Sequence, residues 1–204
     1  MIKAVLFDID GVIVNSGKAN HYFCNDILKE HGGKELSEEG FEKIKHYTLK
    51  QAVEEFFPEL EKEQLEEIRK KWSGNYKKYL EHSNLNDGIK ESLEFLKEKG
   101  IKLGVVTNKS KTTMLEHYNL LHFFDYIVTA NDVIEPKPSP EGILKVLKEF
   151  KVKPEETIFI GDAIGDLKAG QSAGVKTLIY RSEIENEEFE RINEFEEIKK
   201  FLGD

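Results

Sequence analysis

The chain has very little sulfur and no long apolar segment. Among its 204 residues there is one cysteine, Cys24, so an internal disulfide is excluded and no cysteine pair is available for a zinc site. No apolar stretch approaches the length of a membrane-spanning helix. The apolar run at the N-terminus is too short for a signal peptide, and acidic residues follow it at once. These absences predict a cytoplasmic protein.

Positive charge is also in deficit, since the net charge at pH 7 is −9. Nucleic acids and anionic membranes both require a basic surface, so neither is expected as a partner. An acidic protein that acts on an anionic small molecule needs local positive charge instead. A divalent cation or a well-placed lysine would supply it. The length fits one domain, or a core with an insertion.

The polar composition is biased toward Glu and Lys. Charged residues make up 34% of the chain, whereas there are only two methionines and three glutamines. Many charges and few thermolabile residues are typical of proteins from thermophiles. A thermophilic source is therefore a hypothesis, and a melting temperature in the ordinary mesophile range would contradict it.

Strand-like and helix-like patterns are distributed unevenly along the chain. A first strand is predicted at 2–7, and only helices follow until Asn84, at 16–31, 38–46, 49–57 and 61–81. Strands then alternate with helices: strands at 101–106, 126–129, 157–160 and 175–180, and helices at 89–99, 110–117, 140–150, 164–173 and 193–202. The charge run 183–190 fits a solvated face. The alternation predicts an α/β core with a parallel sheet, interrupted after its first strand by an all-helical insertion.

Two carboxylates stand at the end of the first predicted strand. Asp8 directly follows the apolar run 4–7, and Asp10 and Gly11 come next. A buried charge without a partner costs several kcal/mol or becomes neutralised. A metal ion, a hydrogen-bond network or a shared proton could stabilise the pair. The alternative is a strand edge whose acids face water.

Polar residues also end two later strands. Thr107 and Asn108 follow the strand at 101–106, and Asp162 and Asp166 follow the strand at 157–160. In a parallel sheet these ends lie on one edge, where open α/β sheets bind their ligands. Carboxylates suit Mg²⁺, and a hydroxyl and backbone N–H groups suit phosphate. Taken singly, the acids could equally cap the next helix, and the Thr-Asn pair could form an ordinary turn.

A lysine lies in the most proline-rich part of the chain. Three of the five prolines fall between 136 and 140, around Lys137. Prolines stiffen a loop, so this side chain would be a positive charge held at low entropic cost. The alternative is a solvent-exposed lysine in a turn.

Together these segments resemble a known family. Asp8-Ile-Asp10-Gly-Val, Thr107-Asn108, Lys137-Pro138 and Gly161-Asp162 with Asp166 are similar, in order and spacing, to the four signature motifs of the haloacid dehalogenase superfamily. The subgroup resembled is that of phosphoglycolate phosphatase and β-phosphoglucomutase. The resemblance implies a three-layer, Rossmann-like parallel-sheet core at 1–14 and 85–204, and an all-helical cap domain at 15–84.

The resemblance also implies a reaction, the Mg²⁺-dependent hydrolysis of a small-molecule phosphomonoester. Asp8 would attack phosphorus and form an aspartyl-phosphate. Asp10 would protonate the leaving oxygen and then activate water. Lys137 would offset the charge around Asp8 and the phosphoryl group.

The same resemblance assigns the binding groups. The Asp8 side chain, the Asp10 backbone carbonyl and Asp162 would hold Mg²⁺, and Asp166 would bind it directly or through water. Thr107 and the Asn108 backbone would hold the phosphate.

Within the family, two other activities were weighed. Carbon–halogen cleavage is not expected, because that branch lacks an acid at the position of Asp10. The mutase branch uses a cap arginine where Leu49 stands here, although Lys50 is adjacent. His21 lies one position from that branch's hinge histidine. Both departures favour a hydrolase, with Lys50 as a candidate substrate-binding residue. Interconversion of sugar 1- and 6-phosphates that outpaced phosphate release would contradict this.

Other protein classes fit less well. A signalling receiver domain also combines Asp, Thr, Lys and Mg²⁺, but its acidic pair is adjacent, whereas Ile9 separates the acids here, and its acceptor ends the third strand, which Asp125 only precedes. A stable phosphorylated form without turnover would support that alternative. A non-catalytic binding module is disfavoured, because every catalytic position is filled. In the cap, the candidates to line the cleft are His46, Tyr47, Lys50, Trp72 and Tyr79, and of these we expect only the loop 46–50 to do so.

Overall fold

All five predicted strands lie in one parallel sheet. The computed structural model describes residues 1–181 and 189–203. In chain order the strands are β1 (Ala4–Phe7), β2 (Val14–Asn15), β3 (Asn84–Leu85), β4 (Lys102–Val106), β5 (Tyr126–Val128), β6 (Thr157–Gly161), β7 (Lys176–Tyr180) and β8 (Glu190–Ile192). The main sheet has six strands in the order β5-β4-β1-β6-β7-β8, and every neighbouring pair is parallel. The predicted α/β fold class is confirmed.

Helices cover both faces of this sheet. In chain order they are α1 (Gly17–Glu30), α2 (Glu38–Glu42), α3 (Leu49–Phe56), α4 (Lys62–Trp72), α5 (Ile89–Glu98), α6 (Thr113–His117), α7 (Glu141–Phe150) and α8 (Ile164–Ala173). Short 3₁₀ helices span Tyr76–His82, Leu121–Phe123, Pro154–Glu156 and Phe195–Phe201. Because successive strand residues point to opposite faces, β1 contributes Val5 and Phe7 to the core with α5 and α6, and Ala4 and Leu6 to the core with α7 and α8.

The segment between β2 and β3 is helical and has its own apolar core. Phe23 packs edge-on against Trp72 and Tyr79 there, with ring centroids 5.7 Å and 5.3 Å apart. The antiparallel pair β2–β3 joins both ends of this insertion to the sheet core. Asn86 reinforces the junction, since its Nδ2 donates to the carbonyls of Gly11 and Val12 over 2.9 and 2.6 Å.

Two sequence predictions about local structure were wrong. The helix predicted at 61–81 breaks after Trp72 and resumes as a 3₁₀ turn, because Gly74 interrupts it. The helix predicted at 38–46 ends at Glu42. The tail predicted to be helical at 193–202 does form a helix, of the 3₁₀ type, but the short strand β8 before it was not predicted.

Most of the charge run 183–190 lies outside the described residues. In the part of the chain that the structure does describe, no helix has the combined length and apolar character that crossing a membrane requires.

Candidate active site

The carboxyl ends of the central strands bring the predicted site residues to one edge of the sheet. Asp8 follows β1, and its backbone N–H donates to Ile160 of β6 over 2.9 Å. Thr107 follows β4, and its N–H donates to Val128 of β5 over 3.0 Å. Both side chains are buried. The convergence expected from a parallel sheet is therefore present.

Lys137 lies between two of the buried acids. Its Nζ is 2.8 Å from Asp8 Oδ1 and 2.7 Å from Asp166 Oδ1. Only 8% of Lys137 is exposed, so this lysine is not a surface residue of a proline-rich turn. Burial opposes its charge, but the two carboxylates outweigh burial and raise the pKa of Lys137. The ammonium group is therefore a fixed positive charge at neutral pH.

The side chain of Asn108 holds the backbone of Lys137 in place. Its Oδ1 accepts from Lys137 N over 3.0 Å, and its Nδ2 donates to Lys137 O over 3.1 Å. This two-way contact links the loop after β4 to the proline-rich loop after β5. From the sequence, only the backbone of Asn108 was expected to have a role, which was to bind the phosphate. The structure adds that its side chain positions the lysine.

Three carboxylates form a cluster that suits a divalent cation. Oxygen atoms of Asp8, Asp162 and Asp166 lie within 4.8 Å of one another. Burial, opposed by Lys137, raises the pKa of Asp8 to about 7. Burial and the neighbouring Asp8 also raise the pKa of Asp162. So much acidic charge in one buried place requires a counter-charge.

The surroundings of Asp162 fit such an ion. Its buried Oδ1 has no hydrogen-bond partner among the described residues, which leaves it free as a ligand. Gly11 gives the carboxylate room, because a Cβ at this position would overlap Asp162 Oδ2. Gly11 also has φ +73°, a conformation that glycine adopts without strain. A buried cluster of carboxylate oxygens matches the preferences of Mg²⁺.

Asp166 has a structural role as well. Its Oδ2 accepts from the N–H groups of Asp162 and Ala163 over 3.2 and 3.1 Å, at the start of α8. Its Oδ1 faces Lys137. The helix-capping alternative therefore holds for Asp166, in addition to its place in the cluster. Of the three acids it has the fewest free oxygen lone pairs.

Asp10 is held by residues that the sequence analysis did not identify. Its Oδ1 accepts from Ser16 Oγ and, over 2.8 Å, from Asn20 Nδ2. Lys109 Nζ lies 3.5 Å from the same oxygen. Ser16 precedes α1 and Asn20 lies within it, so residues of the helical insertion orient a carboxylate of the sheet core.

The amide of Asn20 is fixed in turn by two donors. Its Oδ1 accepts from Tyr76 OH over 2.6 Å and from Lys109 Nζ over 2.7 Å. Lys109 also lies over the Tyr76 ring, 4.6 Å from its centroid. This network, comprising Asp10, Ser16, Asn20, Tyr76 and Lys109, joins the insertion to the loop after β4. Of the four residues that surround Asp10 in this network, only Lys109 could have been identified from the sequence, because it directly follows the Thr-Asn pair.

The insertion residues predicted near the cleft divide into two groups. His46 and Tyr47, from the predicted loop 46–50, line the cleft over Asp8 and Asp10, as does Gln51, which was not predicted. Trp72 and Tyr79 are 3% and 4% exposed and pack in the core of the insertion, as their helical spacing indicated.

The prediction for Lys50 is not supported by its position. Its side chain is 71% exposed, its Nζ is 4.0 Å from Glu54, and it borders a separate depression between α3 and α4. The Lys50 side chain extends from α3 into solvent, whereas its neighbour Gln51 lines the cleft.

His21 and Leu49, the two residues at which this chain departs from the mutase pattern, make contacts within the insertion or line a cavity beside the cleft. His21 Nε2 is 2.9 Å from the Leu36 carbonyl, and its ring stacks on Phe41. Among the described residues it makes no hydrogen bond to Asp10, and Asn20 makes that hydrogen bond instead. Leu49 lines an apolar cavity next to the cleft.

Comparisons with known proteins agree with this geometry. The family model described as haloacid dehalogenase-like hydrolase matches residues 5–180. Pyrophosphatase PpaX of Halalkalibacterium halodurans is 32% identical over 194 residues, which is 93% of this chain and 88% of that protein. Phosphoglycolate phosphatase of Aquifex aeolicus is 32% identical over 185 residues, 87% of this chain and 84% of that protein. The crystal structure of β-phosphoglucomutase from Clostridium difficile has a TM-score of 0.87, 22% identity and coverage of 99% and 97%, and supports the fold alone.

Proposed function

Since this chain belongs to the haloacid dehalogenase-like hydrolases, we propose that it is a Mg²⁺-dependent phosphatase that cleaves a small phosphate monoester through an aspartyl-phosphate at Asp8. The observation that carries the proposal is the position of Lys137 between Asp8 and Asp166, beside the unpartnered oxygen of Asp162. A buried nucleophile with a fixed positive charge and a set of cation ligands is what phosphoryl transfer to a carboxylate requires.

The metal site would comprise the carboxylates of Asp8, Asp162 and Asp166 with the backbone carbonyl of Asp10. When bound there, Mg²⁺ supplies positive charge that lets an anionic phosphate approach an anionic carboxylate. Asp166 would act directly or through water, since both its oxygens already have protein partners.

Asp8 and Asp10 would divide the chemistry between them. An Asp8 oxygen forms a bond to phosphorus while the bond from phosphorus to the leaving oxygen breaks, and Asp10 donates a proton to that oxygen. In the second half, Asp10 accepts a proton from water as the water attacks phosphorus. The bond to Asp8 then breaks, and inorganic phosphate leaves. The contacts of Asp10 with Ser16 and Asn20 hold its carboxylate on the insertion side of the cleft.

The remaining core residues would bind the phosphoryl group. Thr107 and the backbone of Asn108 lie at the end of β4, where a hydroxyl and an N–H can donate to phosphate oxygens. Lys137 would stabilise charge on those oxygens as well as on Asp8. Because Asn108 fixes the Lys137 backbone, this charge is pre-organised rather than brought in with the substrate.

We further propose that residues 15–84 form a cap over a core of 1–14 and 85–204, in a cytoplasmic enzyme. The β2–β3 pair is a narrow connection on which the cap could move. With the cap closed, the loop 46–50 would cover the cleft, which His46 and Tyr47 line in this structure, and bulk water would be excluded.

The substrate class follows from the same features. A negatively charged protein whose cleft is nevertheless lined by several lysines suits a small phosphorylated molecule. The printed names of two relatives refer to pyrophosphate and phosphoglycolate. A screen of Mg²⁺-dependent phosphate release over glycolate, sugar, nucleotide and pyrophosphate substrates tests this, with Asp8→Asn as the control. Phosphate release by the wild-type protein but not by Asp8→Asn supports the proposal. Near-full activity of Asp8→Asn contradicts the assignment of Asp8.

The mutase alternative is tested in the same assay. Leu49 faces an apolar cavity and Lys50 faces solvent, so neither supplies the cation that a second phosphate would need. We expect phosphate release from sugar phosphates to exceed isomer formation. Faster interconversion of sugar 1- and 6-phosphates would favour a mutase.

A further inference from the structure

An apolar cavity lies between the insertion and the sheet core, beside the carboxylate cleft. Its volume is about 80 Å³, and part of it is open to solvent. Six side chains that contribute apolar surface to its lining are Phe23, Phe41, Ile44, Trp72, Tyr76 and Met114. Five of these come from the apolar clusters of the insertion or pack against them, and Met114 comes from α6 of the sheet core. Cavities of this character are typical binding sites for small organic molecules.

The cavity adjoins the cleft that contains Asp8 and Asp10. Lys45, Tyr47, Asn108 and Lys109 line both. Asn20 lines the cavity and donates to Asp10 over 2.8 Å. A molecule whose phosphate occupies the cleft can therefore extend into the cavity past these shared side chains.

The position of Asp10 indicates which part of a substrate would do so. In the reaction proposed above, Asp10 protonates the leaving oxygen, so the leaving group lies on the Asp10 side of phosphorus. On that side the Asp10 carboxylate contacts Asn20 and, more distantly, Lys109, and both residues line the cavity. The organic part of the leaving group therefore faces the aromatic lining.

We propose that this cavity is the subsite for the leaving group, and that the preferred substrate is a phosphate monoester whose alcohol carries an apolar ring or short chain. The inference rests on the proposed function and narrows its substrate class. Pyrophosphate and phosphoglycolate have no such apolar part and would leave the cavity unfilled.

The first test compares two esters that release primary alcohols, ethyl phosphate and 2-phenylethyl phosphate. Their leaving groups are chemically alike, so a difference in kcat/KM reports binding of the phenyl ring. Filling an apolar pocket discriminates by about tenfold or more, so we expect at least that preference for the phenylethyl ester. Equal or lower kcat/KM for this ester, with ethyl phosphate hydrolysed normally, overturns the subsite and leaves the phosphatase function intact.

The second test is independent of turnover, because Trp72 is the single tryptophan of the chain. Its fluorescence therefore reports on the cavity. Titration with 3-phenylpropylphosphonate, which cannot be hydrolysed, should change Trp72 emission at concentrations where propylphosphonate has no effect. If neither ester is hydrolysed but this change occurs, the cavity binds such a ligand and only the proposed reaction fails. No change at saturating phosphonate contradicts the subsite.

A matched pair of variants locates the effect. Ala52 is buried, lies on α3 and lines the cavity, so Ala52→Leu reduces the space for a ring. It should lower the ratio of the two kcat/KM values about tenfold. Glu55→Leu adds the same side chain at an exposed position of the same helix and should leave the ratio unchanged. An unchanged ratio in folded Ala52→Leu contradicts the proposal. If that variant does not fold, the fluorescence titration of the wild-type protein decides.

Discussion

The side-chain amide of Asn20, in the first helix of the insertion, donates to Asp10 Oδ1 over 2.8 Å, at the end of the first strand of the core. The orientation of Asn20 is fixed, because its Oδ1 accepts from both Tyr76 and Lys109. The proposed acid–base residue is thus held from the side of the insertion. Its geometry depends on how the insertion packs against the core.

Removing the Asn20 amide should therefore impair turnover more than binding. In Asn20→Ala the Asp10 carboxylate loses a directional donor, and small misplacements of a reacting group cost about 10- to 100-fold in rate. We expect kcat to fall at least about tenfold with little change in KM, measured by steady-state phosphate release. Asn25→Ala is the control, since Asn25 lies on the same helix but bonds to Leu36. If both variants keep the wild-type kcat, Asn20 does not position Asp10.

Gly11→Ala should weaken metal binding. The new Cβ would overlap Asp162 Oδ2, so the carboxylate must move away from its place in the cluster. Disturbing the support of a metal ligand costs about 10- to 100-fold in affinity, and we expect this for Mg²⁺ measured by calorimetry. Gly32→Ala is matched in backbone strain, with φ +76° against +73°, but its Cβ would meet open space. Equal Mg²⁺ affinity in both variants would show that Asp162 is not a ligand.

The metal-free protein should lose stability as pH rises through the range where Asp8 titrates. The pKa of Asp8 is about 7 in the folded protein and 3.8 in a model peptide. Between these values the folded state binds an additional proton, so its free energy of unfolding falls as pH increases and levels off near pH 7. Added Mg²⁺ should oppose the loss, and more strongly at higher pH.

Urea unfolding of Asp8→Asn tests this contribution, because the variant has no carboxyl group to ionise at this position. The neighbouring Asp162, whose pKa Asp8 raises, changes the pH dependence in the same direction. Its stability relative to the wild-type protein should increase from about pH 4 to pH 7. Groups elsewhere, such as Asp26, whose hydrogen bond from Tyr79 lowers its pKa, contribute equally to both proteins. A constant difference across this range would mean that Asp8 is not destabilised by burial.

Lys137→Met should destabilise the protein at pH 8. The substitution leaves Asp8 and Asp166 buried without their counter-charge, and breaking a buried ion pair in this way costs about 3–5 kcal/mol. Urea unfolding without metal measures the loss. In the Asp8→Asn background it should be smaller, because one buried carboxylate fewer is left unpaired. The same loss in both backgrounds would mean that Lys137 and Asp8 do not interact energetically.

Much of the sheet could be predicted from the sequence, for a simple physical reason. Strand β1 is buried on both faces, so it reads as a continuous apolar run, and the same is true of β6. Strand β8 could not be found this way, since Glu190 and Arg191 are exposed at the edge of the sheet and only Ile192 is buried.

The meeting of the acids was predictable because it follows from topology. Asp8 and Asp162 end neighbouring parallel strands, so any such sheet brings them together. The partners of Asp10 were not predictable, because Asn20 and Tyr76 are 56 residues apart and meet only through packing within the insertion. The choice between the sequence neighbours Lys50 and Gln51 was not predictable either, because the orientation of α3 decides which of them lines the cleft.

The central claim is that Asp8 is the nucleophile, and the most direct test is to look for the phosphoryl group on it. A turning-over mixture with Mg²⁺ and the best substrate of the screen is quenched in acid, and the peptide that contains residue 8 is examined by mass spectrometry. We predict a phosphorylated Asp8 in the wild-type protein, and neither phosphorylation of residue 8 nor turnover in Asp8→Asn. Full turnover with no phosphoryl group on Asp8, or phosphate release that survives in Asp8→Asn, would contradict the account.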